Sequence, residues 1–317
     1  MSRMNKILAL VLAVQLALVV YVFRPGQENV PPKVQFFSDI EAGQVTGLSI
    51  ADQKQAVTVT REGDAWVIDS TQHYPADKGK VEKLVQKLLG LTSSRLVART
   101  RASHGRLKVG AEDFNRKLTL HLGKGDDRIL LLGSAPNYKT IHVRRANDDE
   151  VYLVKDLADW EAQADPHSWW DTNYIDVKPE DLQQVTLTNG HGRLELHRGA
   201  DKQWQARQAA AGMALADEAL TDFLNRVSLI QLDTYLERGG AETKYGLDKP
   251  VATLELITTA GAITLKVAKG DAKDEEYFMK SSDSPFVVRA SGYQVKGLLD
   301  ATLGELLKST AKQGNSK

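Results

Sequence analysis

Cysteine is absent from all 317 residues, so no disulfide framework, thiolate metal site or cysteine nucleophile is available. A lipid carried on cysteine, as in bacterial lipoproteins, is excluded with them. An excess of charge of either sign is also missing. The 41 basic and 41 acidic residues balance, which argues against a nucleic-acid binder that works through a basic stripe. Familiar catalytic signatures are lacking as well: there is no Gly-x-Ser-x-Gly elbow, no His-Glu-x-x-His and no phosphate loop ending in Gly-Lys-Ser/Thr. None of the seven histidines forms a His-x-x-x-His pair, so close metal-ligand spacing is missing too, and no cofactor is implied.

Long apolar runs are scarce, and the one present stands near the amino terminus. It covers 7–23, interrupted only by Gln15, and comes after a lead containing Arg3 and Lys6. As a helix it would be about 25 Å long, at the low end for a hydrocarbon core of about 30 Å. Arg3, Lys6 and Arg24 are placed to snorkel, and Tyr21 and Phe23 sit where interfacial aromatics belong. A cleaved signal peptide would end in small residues, but this run ends Val-Tyr-Val-Phe-Arg-Pro. The expectation is therefore an uncleaved signal-anchor in a bacterial inner membrane, single-pass, with the remainder in the periplasm.

The rest of the chain says the same thing twice. Trp66 in a hairpin context recurs as Trp204, at 204 − 66 = 138, and Ala76-Asp77 recurs as Ala216-Asp217, at 216 − 76 = 140. A period this long marks a duplicated domain rather than a solenoid. Alternating strands, a hairpin and a helix opening at Asp77 with Val81, Leu84, Val85 and Leu88 on one stripe lead into a meander, and a short helix over 155–163 closes the copy. Copy two repeats this order, with its helix opening at Asp217 and a last helix over 293–307. The fold class expected is α+β. Its divisions are 1–36 for tip, anchor and stalk, 37–172 and 173–308 for two tandem related domains, each a mainly antiparallel meander with one amphipathic helix, and 309–317 for a flexible tail.

Copy two carries Lys-Tyr-Gly-Leu-Asp-Lys-Pro at 244–250, directly before a strand. This stretch resembles the YGLxxP signature of a bacterial domain-of-unknown-function family numbered 4340. The resemblance implies one amino-terminal membrane segment, duplicated α+β units and an accessory role beside gliding-motility-type ABC transporter components. It supplies no reaction. Copy one keeps only a glycine, Gly110, at 246 − 110 = 136. Physically, Tyr245, Gly246 and Pro250 read as a structural corner, Gly246 taking a backbone conformation closed to other residues and Pro250 fixing entry to the next strand. A partner contact is the sharper alternative.

Other candidate groups are few. His121, His142 and His197 fall on the polar phase of alternating strands. The plain reading is a solvated sheet face; the sharper one puts His121, His142 and Arg144 on one face that touches a partner. Trp169 and Trp170 fall where copy one ends, which predicts at least one indole packed in the joint between copies, against the alternative of an exposed aromatic platform for a glycan or peptide. Asp165, His167 and Ser168 hold the side-chain types of a hydrolytic triad, but closeness in sequence does not make one. Gly133-Ser134-Ala135-Pro136 reads as a turn, since proline removes a donor a phosphate loop would need. The expected function is a non-enzymatic, periplasm-facing accessory subunit or scaffold of an ABC-type transport or envelope machine, partnered by the inner membrane and a permease-like component. A periplasmic hydrolase or lyase, or a ligand receptor using the cleft between copies, are the alternatives.

Overall fold

The computed structural model describes residues 3–22, 33–210, 213–270 and 276–309. Helix α1 (Arg3–Val22) comes first. Of its side chains those of 10–19 are described, and Leu10, Val11, Leu12, Val14, Leu16, Leu18 and Val19 all stand exposed. Among the described residues no helix is long and apolar enough to cross a membrane. Residues 24–32 of the stalk expected up to 36, and 310–317 of the tail expected over 309–317, lie outside the described residues.

Beyond α1 the chain is α+β, with two large antiparallel sheets. The first is built from β1 (Val45–Ala51), β2 (Ala56–Glu62), β3 (Ala65–Ile68), β4 (Tyr74–Pro75), β5 (Leu96–Ala98), β6 (Arg116–Leu122), β7 (Arg128–Leu132), β8 (Thr140–Arg145) and β9 (Val151–Lys155). Its order is β4-β3-β2-β1-β6-β7-β8-β9-β5. Helix α2 (Lys78–Leu89) lies on one face, its first turn capped by the Asp77 carboxylate accepting from the Lys80 amide at 2.9 Å. Val81, Leu84, Val85 and Leu88 of α2 meet the inward strand residues Leu48, Ile50, Leu118, Leu120, Leu130 and Leu132 in one core. The period-two alternation of those strands is what frees their other side chains for the opposite face.

The second sheet comprises β10 (Leu182–Asn189), β11 (Gly192–Arg198), β12 (Trp204–Ala206), β13 (Thr234–Arg238), β14 (Ala252–Thr258), β15 (Ala262–Lys269), β16 (Glu276–Ser281) and β17 (Phe286–Ser291). Its order is β12-β11-β10-β14-β15-β16-β17-β13, which is the order of the first sheet position for position once β4 is set aside. Helix α3 (Asp217–Ser228) buries Phe223, Leu224 and Val227 against it. The hairpin tryptophans correspond too. Trp66 stands opposite Arg61 across β2–β3 and Trp204 opposite Arg198 across β11–β12, with the guanidinium 6.0 Å from the ring in the first case and 5.7 Å in the second.

Several local expectations are corrected. Val34–Gln35 pair with Thr92–Ser93, and Phe36 and Phe37 are buried in the first core, so these residues belong to the sheet body rather than to a stalk. The helix expected over 155–163 is a single 3-10 turn, Asp159–Glu161. Ala216, not Asp217, occupies the cap position of α3; Asp217 is already helical and its carboxylate meets Lys308 at 3.2 Å. The helix expected over 293–307 divides into α4 (Gly292–Leu299) and a turn, Leu303–Leu306, after which Leu307–Ser309 pairs with Met213–Leu215.

Candidate functional site

The face of the first sheet turned away from α2 carries its polar chemistry. The register puts Gly47 opposite His121, Ser49 opposite both Thr58 and Thr119, and Leu131 opposite Arg144, so His121, His142 and Arg144 do share this face. It is not the solvated surface that alternation alone predicts. Residues 99–115 fold over its far half, where Leu107 and Val109 pack on Leu131 and Val151. His142 and Arg144 are buried beneath them. Arg144 Nε donates to the Val109 carbonyl at 2.7 Å and Nη1 to the carbonyls of Ala146 and Asp148, both at 2.8 Å. The guanidinium thus holds the covering segment to the sheet, and burial pulls its pKa down. His142 Nδ1 lies 2.7 Å from the Ser134 carbonyl. Neither side chain stands open at the surface.

The open half of the face holds a constellation that the sequence did not reveal. Ser49 Oγ lies 2.6 Å from His121 Nε2, and His121 Nδ1 lies 2.8 Å from Asp127 Oδ2. The Thr58 hydroxyl is 2.8 Å from Ser49 Oγ. Atom for atom this is the connectivity of a serine–histidine–carboxylate relay. Gly47 makes room for it, since a Cβ there would stand 3.2 Å from His121 Cδ2. A hydrolase also needs donors aimed at a developing oxyanion. Here β1 is paired on both edges, so the amides around Ser49 point along the sheet into its ladders rather than out of its face. Ser49 and His121 are 72 residues apart, and only the register of β1 on β6 brings them together.

Asp165, His167 and Ser168 form no relay. Asp165 caps the 3-10 turn Pro166–Trp169, Ser168 Oγ lies 3.4 Å from its carboxylate, and His167 Nε2 is instead 3.1 Å from the Asp233 carbonyl. The adjacent tryptophans differ in what they reach. Trp169 is completely buried in the first core, with its indole N–H donating to the Gln163 carbonyl at 2.8 Å. Trp170 packs against both cores. An exposed aromatic platform is thereby overturned, because each of the two rings packs into a core.

Trp170 sits in an aromatic cluster where the two sheets meet. Tyr74 of β4 is 4.9 Å from Phe286 and 5.3 Å from Tyr235, ring centre to ring centre, and Tyr74 belongs to the second core rather than the first. Tyr235 lies 6.1 Å and His167 4.6 Å from Trp170. Gln72, in the left-handed region at φ 53°, accepts at Oε1 from the Tyr235 hydroxyl at 2.7 Å and from the Arg238 amide at 2.8 Å. Backbone bonds fasten the same place: Asp77 N–H to the Trp169 carbonyl at 2.8 Å and Asp171 N–H to the Pro75 carbonyl at 3.0 Å. Burial, reinforced by Asp77 and Asp176, raises the Asp171 carboxyl.

The 244–250 corner covers the outer face of the second sheet. Leu247 is completely buried against Ala268 and Val287, Tyr245 stacks edge-on to Phe278 at 5.1 Å, and its hydroxyl donates to Glu237 at 2.8 Å. The Lys244 ammonium, with that hydroxyl, holds the Glu237 carboxyl below its usual range. Pro250 ends the corner immediately before the Val251 amide bonds to Val267. Gly246 has φ 68°. Beside the first sheet the same corner occurs at a different residue from the expected Gly110: Lys108, at φ 57°. Val109 N–H bonds to the His104 carbonyl at 3.0 Å as Leu247 N–H bonds to Glu242 at 2.9 Å, and Lys108 N–H to Gly105 as Gly246 N–H to Thr243. The offset is 246 − 108 = 138, the same as that of the hairpin tryptophans. Gly133 admits this corner to the sheet, since a Cβ on it would lie 2.1 Å from the Leu107 carbonyl oxygen.

The fold is thus that of an α+β protein with two topologically matching antiparallel sheets. A family model described as Domain of unknown function (DUF4340) matches residues 66–250, which is 250 − 66 + 1 = 185 of the 317 residues, and the chain belongs to that family. The match runs from the hairpin tryptophan of the first sheet to the proline that ends the corner of the second. No curated protein and no solved structure matches the chain.

Proposed function

We propose that this chain is a periplasm-facing, non-enzymatic accessory subunit or scaffold of an ABC-type transport or envelope machine, anchored in the bacterial inner membrane by α1. The observation that carries the anchor is α1 itself: seven large apolar side chains between Leu10 and Val19 stand unburied on a helix, where a soluble protein would cover them. The apolar sequence continues to both sides of that stretch, over 7–23. The two sheets are read as tandem related domains, supported by their common strand order and by the shared 138-residue offset of tryptophan and corner. Their aromatic joint favours a rigid arm over a hinged receptor, because the space a ligand would enter is occupied by Tyr74, Trp170, Tyr235 and Phe286. Anchoring concentrates such an arm near a membrane partner, so weak contacts suffice. Crosslinking and then co-purification in mild detergent is expected to recover a permease-like membrane protein. Its repeated absence, with the chain itself recovered from the membrane fraction, removes the reading.

The Ser49–His121–Asp127 relay favours a second reading, a serine hydrolase on an envelope ester. Labelling of the full chain by a fluorophosphonate probe, abolished by Ser49→Ala and by His121→Ala, would establish it. A probe that leaves Ser49 untouched dismisses it.

A further inference from the structure

A cavity of about 490 Å³ opens where the end of α2 meets the start of β8 and the end of β9. Lys33, Lys87, Arg95, Thr140, Lys155 and Asp156 are on its wall. The fold gathers them from distant segments. Lys87 is in the last turn of α2, Arg95 comes just after the strand that pairs with Val34–Gln35, and Lys155 ends β9 directly opposite Thr140 at the start of β8. Lys87 is committed to Glu161. Lys33, Arg95 and Lys155 have no carboxylate within ion-pair distance among the described residues, and Asp156 is the one carboxylate among the described wall residues. The cavity therefore carries an excess of uncommitted positive charge in a chain whose total is balanced.

Thr140 adds a second, independent observation. Only 9% of it is exposed, and its Oγ1 has no hydrogen-bond partner among the described residues. The neighbouring groups are already engaged: the Ser93 hydroxyl donates to the Leu153 carbonyl at 2.6 Å, and the Thr140 amide bonds to Asn137. A buried hydroxyl left unpaired is costly, and valine would fill the same space without that cost. What Thr140 lacks is an acceptor, and what Lys33, Arg95 and Lys155 lack is negative charge. One tetrahedral oxyanion supplies both.

We infer that this cavity binds a phosphate group, with Arg95 and Lys155 providing the charge and the Thr140 hydroxyl donating a hydrogen bond. Lys33 comes after the last residue of α1 by 33 − 22 = 11 residues, which span at most about 40 Å. Both a free phosphate and the phosphate of an anionic lipid headgroup are thus within reach. The lipid source rests on the proposed anchor; the free phosphate does not.

The test uses the full chain in phosphatidylcholine nanodiscs, titrated calorimetrically with inorganic phosphate. Saturable binding is expected, weakened about tenfold by Arg95→Ala or Lys155→Ala and several-fold by Thr140→Val, as the loss of a hydrogen bond to a charged group entails. Thr140→Val is expected to melt no lower than the parent when phosphate is absent, which separates a lost ligand contact from a damaged fold. Repeating the titration in nanodiscs containing phosphatidylglycerol distinguishes the sources: a lowered apparent phosphate affinity indicates a headgroup in the cavity, an unchanged one a soluble ligand. Absence of saturable binding in neutral nanodiscs, or binding indifferent to both Arg95→Ala and Thr140→Val, overturns the assignment.

Discussion

Gly246 and Lys108 hold the same left-handed turn in two corners of one design, so substitutions there should move stability in opposite directions. In Gly246→Ala the new Cβ meets only the Ala268 Cβ at 3.8 Å, an ordinary contact, so the cost is confined to the backbone at φ 68°. That conformation costs a non-glycine residue about 1–2 kcal/mol. Reduced freedom of the unfolded chain returns about 0.4–1 kcal/mol, leaving a net destabilisation of about 1 kcal/mol. Lys108→Gly reverses both terms. It also gives up the Lys108–Asp113 ion pair at 2.9 Å, which is half-exposed on both sides and worth at most about 0.5 kcal/mol after solvent screening. A net gain of about 0.5 kcal/mol remains. Urea denaturation monitored by near-ultraviolet dichroism gives the sign for the whole body. Amide exchange gives it locally, where protection of the Leu247 amide should fall in Gly246→Ala and that of the Val109 amide should rise in Lys108→Gly. If both variants lose stability to a similar degree, the two corners are not equivalent and the 138-residue correspondence fails at this position.

Trp169→Ala should destabilise the first sheet by about 3–5 kcal/mol, because it removes a completely buried indole and its bond to Gln163; thermal melting checks this, and a loss under about 1 kcal/mol would contradict the burial. Gln72→Ala removes both side-chain bonds from β4's loop to β13 and should broaden the distance distribution between spin labels placed on β2 and β15; an unchanged width would show that the aromatic rings alone fix the joint. Asp171→Asn should stabilise the protein at neutral pH. The folded carboxyl is raised above its unfolded value, chiefly by burial, so the folded state binds the extra proton and stability falls as pH rises through the carboxylate range. The benefit of asparagine should be full above that range and vanish below it, and a pH-independent difference in melting temperature would refute this cause.

How far the sequence reached depended on the range of the interaction involved. Alternation and helical spacing are local, and they located the α2 stripe at Val81, Leu84, Val85 and Leu88 and the hairpins at Trp66 and Trp204. Placing His142 and Arg144 on a polar phase was also right, yet the phase says nothing about what lies above it; the cover comes from 99–115, whose leucine and valine anchors carry no periodic pattern. Alignment by residue type paired Gly110 with Gly246, whereas backbone conformation pairs Lys108 with it, since a lysine at positive φ has no signature in sequence. Ser49 and Asp127 were missed for a related reason. Each looks like an ordinary polar residue until strand register sets it beside His121. The phosphate-type cavity is more remote still, assembled from one helix end, two strand ends and Lys33.

Tyr74 gives the assembly of the chain a direction. Its ring belongs to the second core, yet it precedes the first strand of that sheet, which opens at Leu182, by 182 − 74 = 108 residues. A fragment beginning at 173 would therefore lack a ring that its own core closes around, and the gap would border Tyr235 and Phe286. During synthesis from the amino terminus, that ring is already in place when Phe286 emerges. The second sheet is completed on a template laid down by the first, and the two halves cannot be exchanged, reordered or expressed apart without leaving that seat empty.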